Sequence, residues 1–180
     1  MKKKLTTVLA IVLVVALSVA GTYAYLTDKT DAVVNTFTVG NVNIDLTETT
    51  GNSYKMVPGT TIKKNPKVTV EADSEACWLF VKVVKSDNFD DFMTYDMANG
   101  WTALEGVDGV FYRPVEAGAA DQDFAVLAND TVSVKSDVTK DMMDAIKEGT
   151  ATNPTLTFTA YACQTAGIDT AAKAWAEVGK

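Results

Sequence analysis

The alternation of apolar and polar positions along the chain predicts β-strands from about residue 36 onward. In VVNTFTVGNVNIDL, the apolar side chains stand at odd positions up to Val39 and at even positions from Val42 onward. Successive strand residues point to opposite faces, so this change of phase would turn some of the apolar side chains towards water. One extra residue at a glycine restores a single apolar face. The sequence therefore predicts a β-bulge at Gly40 and Asn41.

Further segments carry the same strand signal, and their composition predicts which one is central. ACWLFVKVVK at Ala76–Lys85 is the most apolar, so we expect it in the middle of a sheet. The other predicted strands are Lys67–Glu71, Gly109–Arg113, Phe124–Leu127, Thr131–Lys135 and Thr155–Gln164.

Two segments have helical character. The first, Val138–Lys147, is predicted to be capped by Asp137 and ended by Gly149. The second is predicted over Asp169–Val178, with Asp169 as its cap and an apolar face made of Ala172, Trp175 and Ala176. About eight short strands with one or two inserted helices predict an antiparallel β-sandwich of jelly-roll type.

The N-terminus has the parts of a secretory signal peptide. MKKK is basic, Val8–Leu17 is apolar and Ser18–Gly21 is made mostly of small residues. A retained membrane anchor is the alternative, but a spanning helix needs about 20 apolar residues. Cleavage is predicted after Ala24, since Thr22 and Ala24 flank Tyr23 in the arrangement of small residues that signal peptidases cut.

Cleavage there makes Tyr25 the first mature residue and divides the chain into three parts. The parts are a cleaved signal peptide at 1–24, a mature N-terminal segment at 25–35 and a domain at 36–180. Removing the signal peptide takes away three lysines and no acidic residue, so the net charge changes from −7 to −10. An acidic chain of this kind argues against nucleic acid and anionic lipid as partners.

The chain contains no histidine, which removes the commonest metal ligand and general base in proteins. Zinc hydrolysis through an H-E-x-x-H motif and Ser-His-Asp catalysis are thereby excluded. No phosphate-binding glycine motif is present, and the sequence predicts no cofactor. Trp78, Trp101 and Trp175 are read as core residues, with a ligand-binding platform as the alternative.

Two further sets of residues leave alternatives open. Cys77 and Cys163 could form a disulfide in an exported protein, but strand parity points one thiol inward and the other outward. The acidic run with Asp87, Asp90 and Asp91 offers oxygen ligands for calcium, although its spacing is not that of an EF-hand. A solvated loop is the other interpretation of this run.

The segment that cleavage frees, Tyr25–Val34, runs directly into the first strand. It could add to an open sheet edge of another subunit by main-chain hydrogen bonds. Its apolar side chains, Tyr25, Leu26, Val33 and Val34, would then fill pockets on that subunit. The alternative is a disordered tail, which is common at chain termini.

The stretch AGTYAYLTDKTDAVVNTFTVGNV, with KKK upstream, resembles the N-terminal region of exported proteins processed by SipW-type signal peptidases. These include the TasA/CalY/camelysin family. VPGTTIKKNPKVTVEADSEACWLFVKV, GVFYR and YACQTAGIDTAAKAWAEV also resemble that family, whereas Ser86–Ala151 does so only loosely.

This resemblance implies a jelly-roll domain at the cell surface or in a biofilm matrix, where TasA-like proteins build fibres by donor-strand exchange. The donor would be residues 25–35, and the partners would be further copies of the chain, the signal peptidase and an accessory fibre subunit. Camelysin members imply the alternative, a surface metallopeptidase. The sequence offers no metal-binding triad to carry that activity.

Overall fold

The computed structural model describes residues 40–180, where ten short strands and three helices surround three apolar cores. The strands are β1 (Ile44–Thr47), β2 (Thr61–Lys63), β3 (Lys67–Val70), β4 (Cys77–Lys85), β5 (Met93–Thr94), β6 (Thr102–Ala103), β7 (Val110–Val115), β8 (Gln122–Ala125), β9 (Thr131–Val134) and β10 (Leu156–Gln164). The helices are α1 (Phe89–Phe92), α2 (Lys140–Lys147) and α3 (Ala171–Val178).

The described strands form three antiparallel sheets. The first has the order β1-β3-β8, the second β10-β4-β7-β6 and the third β2-β9-β5. The prediction of a mainly β protein with inserted helices is confirmed. The jelly-roll topology stays a prediction.

Strand β4 is central, as its composition predicts, and it supplies side chains to two cores. Its odd positions face the first sheet, and Leu79 and Val81 are fully buried there beside Val68 of β3. Phe80 points to the opposite face and is also fully buried. Because both faces of this strand are covered, it carries an almost continuous apolar run.

Helix α3 covers the outer face of the second sheet. The ring centroid of Trp175 lies 5.3 Å from that of Phe80 and 5.1 Å from that of Tyr161. Ala171 and Ala174 are the buried residues of the helix, and their small side chains allow a close approach to the sheet.

The predicted face of this helix is wrong in part, because Ala172 and Ala176 are exposed. Trp175 packs against the sheet as predicted, but the alanines that face the sheet are Ala171 and Ala174. The cap also differs, since the Thr170 hydroxyl accepts the backbone N–H of Lys173. Asp169 instead forms an ion pair with the Lys173 ammonium at 3.1 Å.

Helix α2 packs against the third sheet through Met142, Met143 and Ile146. Its N-cap is Thr139, whose hydroxyl accepts the Met142 N–H, so the prediction of Asp137 as the cap is wrong. Ser136, Asp137 and Thr139 are all residue types that cap helices. Which of them is the cap depends on the backbone geometry. Gly149 follows the helix with a positive φ of 77°, as a terminator requires.

Gly109, which precedes β7, lies where the chain must pass close to β4. A Cβ atom at this position would lie 2.4 Å from the Val83 carbonyl oxygen, and φ is +68°. Gly106 has a similar φ of +75° but no atom within 4 Å of such a Cβ.

Gly106→Ala should therefore lower the free energy of unfolding by about 1 kcal/mol, the cost of left-handed backbone. Gly109→Ala adds a backbone clash, and we expect roughly two to four times that loss. Urea denaturation of both variants measures the difference. Equal losses would show that β4 and β7 do not approach as closely as described.

Candidate functional site

Among the described strands, β10 is a long edge without the usual protection. Its sequence, LTFTAYACQ, contains no charge, proline or glycine over nine residues, and its only partner is β4. Natural proteins usually shorten, charge or bend exposed edges, because unpaired backbone groups recruit other strands. The other described edges are short, and β1, β2 and β8 include Asp45, Lys63 and Asp123 respectively.

The direction of the backbone groups of β10 follows from its hydrogen bonds. Ser86 N–H donates to the Thr155 carbonyl, and Thr165 N–H donates to the Ala76 carbonyl. Odd-numbered residues therefore direct their N–H and C=O groups towards β4, and the even-numbered residues direct theirs away from it. The outward groups belong to Leu156, Phe158, Ala160, Ala162 and Gln164.

Strand β1 lies across from β10 and is also an edge of its sheet. The apolar side chains of the two strands point towards the first core but are only half-buried; they are Ile44 and Leu46 of β1, Val42 just before it, and Leu156, Phe158, Ala160 and Ala162 of β10. We call this group of seven side chains, with the outer edges of β1 and β10, the open seam. Cα atoms of β1 and β10 come within 8 Å of one another there, and the side chains between the two strands remain partly accessible.

The opposite side of the same sandwich is closed by side chains. Trp101 Nε1–H donates to the Ala125 carbonyl at 2.9 Å, which joins the end of β8 to the second sheet. The Arg113 guanidinium carbon lies 4.1 Å from the Phe124 ring centroid, and its burial lowers the pKa of Arg113. At this closed side, side chains of both sheets therefore hold the layers together.

A cavity of about 160 Å³ lies at the Leu156 end of the open seam. Ile62, Met93 and Val132 form its apolar wall. Lys64 lines it as well, with its ammonium 2.8 Å from the Glu48 carboxylate and 5.5 Å from the Phe158 ring centroid. The cavity is therefore suited to an apolar side chain, and its rim carries the Lys64–Glu48 ion pair.

Glu48, which follows β1, forms an ion pair with Lys64 at the rim of this cavity. Burial raises the pKa of Glu48, but hydrogen bonds from Lys64, Tyr54 and Thr50 lower it more, and the net pKa lies below its ordinary value. The Tyr54 hydroxyl donates to the Glu48 carboxylate at 2.8 Å. These residues were not singled out by the sequence, because they are brought together only by the fold.

The two cysteines are free and lie on opposite faces of the second sheet. Cys77 pairs in register with Gln164, and Cys163 with Trp78. Burial raises the pKa of the Cys77 thiol to about 11, and burial also raises the pKa of Cys163. Cys77 is fully buried, whereas Cys163 is partly exposed beside α3.

Iodoacetamide should therefore label Cys163 well before Cys77 in the folded protein, since the thiolate is the reactive form and needs solvent access. In Cys163→Ser, the remaining thiol should react only when the protein unfolds. Mass spectrometry of labelled peptides over time checks this order. Equal labelling rates in the native chain would contradict it.

The acidic run is exposed, and its carboxylates do not converge. Asp90 pairs with the Lys85 ammonium at 2.6 Å, while Asp87 and Asp91 point into solvent near the surface of α1. In the part of the chain that the structure describes, no three His, Cys, Asp or Glu side chains are grouped as a metal site would require.

Several predicted residues lie outside residues 40–180. They are Thr22, Tyr23 and Ala24 of the cleavage site and Tyr25, Leu26, Val33 and Val34 of the donor segment. Gly40 and Asn41 lie just before β1, where the Asn41 carbonyl accepts the Glu75 N–H at 2.9 Å. The bulge also involves Val39 and stays a prediction.

The three tryptophans do not form one platform. Trp78 of β4 and Trp175 of α3 are partly buried in the core between the helix and the second sheet, and Trp78 Nε1–H donates to the Ile168 carbonyl at 3.0 Å. Trp101 lies at the closed side of the sandwich. No helix within residues 40–180 is both long and apolar enough to span a membrane.

The family model described as camelysin metallo-endopeptidase matches residues 1–94. This match covers just over half of the chain, from the N-terminus through β5. No curated protein and no solved structure matches the chain.

Proposed function

The chain belongs to the camelysin metallo-endopeptidase family, and we propose that it is a secreted protein of the cell surface or biofilm matrix that assembles into fibres. Assembly occurs by donor-strand exchange, in which the mature N-terminal segment at 25–35 of one subunit pairs with a sheet edge of the next. The observation that carries this proposal is the open seam, whose β10 edge is long and uncharged.

The charge and shape of the described domain support a structural role. Its β10 edge offers N–H and C=O groups that have no partner among the described strands, together with half-buried apolar side chains, which is what an added strand requires. The acidic composition favours solubility of the free subunit before assembly. No cofactor is needed for this function.

Export precedes assembly in this proposal. A SipW-type signal peptidase cuts after Ala24 and exposes Tyr25 as the new terminus. The partners are then further copies of the chain, with an accessory fibre subunit as a second partner. Assembly inside the cell is avoided because the donor segment remains joined to the signal peptide.

Electron microscopy of the exported chain, combined with N-terminal sequencing, tests this function. We expect a product that begins at Tyr25 and forms filaments. A mature product that stays monomeric at high concentration, with or without an accessory subunit, would contradict the fibre function. A product that retains residues 1–24 would contradict the cleavage step.

A surface metallopeptidase is the second candidate, and the name of the matching family favours it. The donor set does not fit a metal centre, because the chain has no histidine and residues 40–180 bring no three His, Cys, Asp or Glu side chains together. Chelator-sensitive cleavage of casein by protein free of host proteases would support this candidate, and no cleavage with any added divalent metal would remove it.

A further inference from the structure

We propose that the acceptor for the donor segment is the outer edge of β10, and that Tyr25–Val34 of a second copy adds to it in the antiparallel direction. This inference rests on the proposed fibre function and specifies its site. Three features of the described residues lead to it: the character of the edge, the position of Gly40 and the exposure of the open seam.

The edge itself favours β10 over the other described edges. Its nine residues can pair with nearly all of a ten-residue donor, whereas β1 and β8 have four residues each. Every second residue of β10, from Leu156 to Gln164, directs both backbone groups outward. No lysine or proline in the strand opposes pairing.

The position of Gly40 requires that an antiparallel donor come from another copy. Asn41 binds Glu75, and Thr165 binds Ala76, so the chain enters β1 at the Gln164 end of β10. An antiparallel donor places Tyr25 at that end and Val34 beside Thr155 at the other.

The segment from Asn35 to Gly40 is too short to connect an antiparallel donor to β1 of the same chain. Strand β10 spans about 27 Å at 3.3 Å per residue. The five steps from Asn35 to Gly40 cover at most about 18 Å. A chain that inserted its own segment along the whole edge would have to run parallel to β10, unlike every described strand pair, all of which are antiparallel.

The added strand would cover the open seam. Side chains on its inner face pack beside Phe158 and Ala160 of β10 and reach the half-buried Ile44 and Leu46 of β1. In the antiparallel direction, Val34 approaches the cavity of about 160 Å³ beside Leu156. The incoming strand thereby extends the second sheet and covers the half-buried side chains of the open seam.

The sharpest test substitutes proline where only an outward N–H is lost. Ala160 directs its N–H away from β4, so Ala160→Pro leaves the β4 hydrogen bonds intact and removes one donor from the acceptor edge. Ala125→Pro is the matched control, because Ala125 also faces outward, on the closed side, where its carbonyl accepts from Trp101.

We expect Ala160→Pro to raise the concentration needed for filaments about tenfold or more, and Ala125→Pro to leave it unchanged. Both variants should unfold within a few degrees of the unsubstituted chain. Filaments of Ala160→Pro at the normal concentration would overturn the β10 assignment while leaving the fibre function in place. Absence of filaments from the unsubstituted mature chain would overturn both.

Hydrogen exchange of the unsubstituted mature chain gives a measurement that does not depend on a variant folding. The amides of Phe158, Ala160 and Ala162 should exchange at least tenfold more slowly in filaments than in monomers, because they gain partners. The amide of Ala125 should not change. Unchanged exchange along β10 in filaments would overturn the assignment.

A mixing experiment separates a second copy from self-insertion. A mature chain lacking Tyr25–Val34 keeps its acceptor, and Ala160→Pro keeps its donor. If the donor acts between copies, the two variants together should form a 1:1 complex that grows no further. Two separate monomers in sedimentation velocity, at concentrations where the unsubstituted chain polymerises, would overturn the exchange between copies.

Discussion

A mature chain that begins at Asn35 should remain monomeric under conditions in which the chain beginning at Tyr25 forms filaments. The deletion removes the four apolar side chains of the donor and all of its backbone donors and acceptors. Fully burying one such side chain contributes about 2 kcal/mol. Losing only two of them would weaken association roughly a thousandfold, since each 1.4 kcal/mol is a factor of ten.

The deletion should leave the domain folded, because the described part of the three cores is built from residues 42 and beyond. Sedimentation velocity and electron microscopy measure assembly, and circular dichroism with thermal unfolding checks the fold. A chain with Tyr25–Val34 replaced by ten glycine and serine residues is the control for length alone. We expect that control to remain monomeric too; filaments from either variant would exclude the donor mechanism.

Phe80→Ala should lower the free energy of unfolding by about 3–5 kcal/mol, the largest stability effect that we expect from a single side chain. Phe80 is fully buried on the helix-covered face of β4, with its ring 5.3 Å from Trp175 and 6.4 Å from Tyr112. Its removal leaves a cavity that α3 and the sheet cannot both close. For a domain of this size the melting temperature should fall by roughly 10 °C or more.

Val84→Ala provides the control on the same strand, because Val84 is 49% exposed. We expect it to change the free energy of unfolding by no more than about 0.5 kcal/mol. Calorimetry of the two variants gives the comparison. A loss below about 1 kcal/mol for Phe80→Ala would mean that α3 does not pack on this face of the sheet.

Some features of the fold could be predicted because they depend on neighbours in sequence. The almost continuous apolar run of β4 indicated a central strand, and the alternation in β10 indicated a strand with two different faces. Gly149 indicated a helix end, because a positive φ is cheap only for glycine. Each of these features depends on the hydrophobic periodicity or the residue types of a single segment.

Other features could not be predicted from single segments. Strands β2, β5 and β6 have two or three residues, too few to show any period, and they exist because longer strands offer them hydrogen bonds. The caps at Thr139 and Thr170 were chosen among several polar neighbours by the geometry of the docked helices. The grouping of Glu48, Tyr54 and Lys64 likewise joins residues that are separated along the chain.

The sequence by itself determined that the protein is mainly β, that it lacks the histidine chemistry of common hydrolases, and that an acidic chain follows a signal-like N-terminus. The tertiary structure alone decided that β10 is an edge among the strands of residues 40–180, that β1 lies across from it and that the chain enters at the Gln164 end. The reason is physical. Side-chain periodicity is local, whereas the partner of a strand is set by hydrogen bonds between residues far apart in sequence, as between Ala76 and Thr165, which are 89 positions apart.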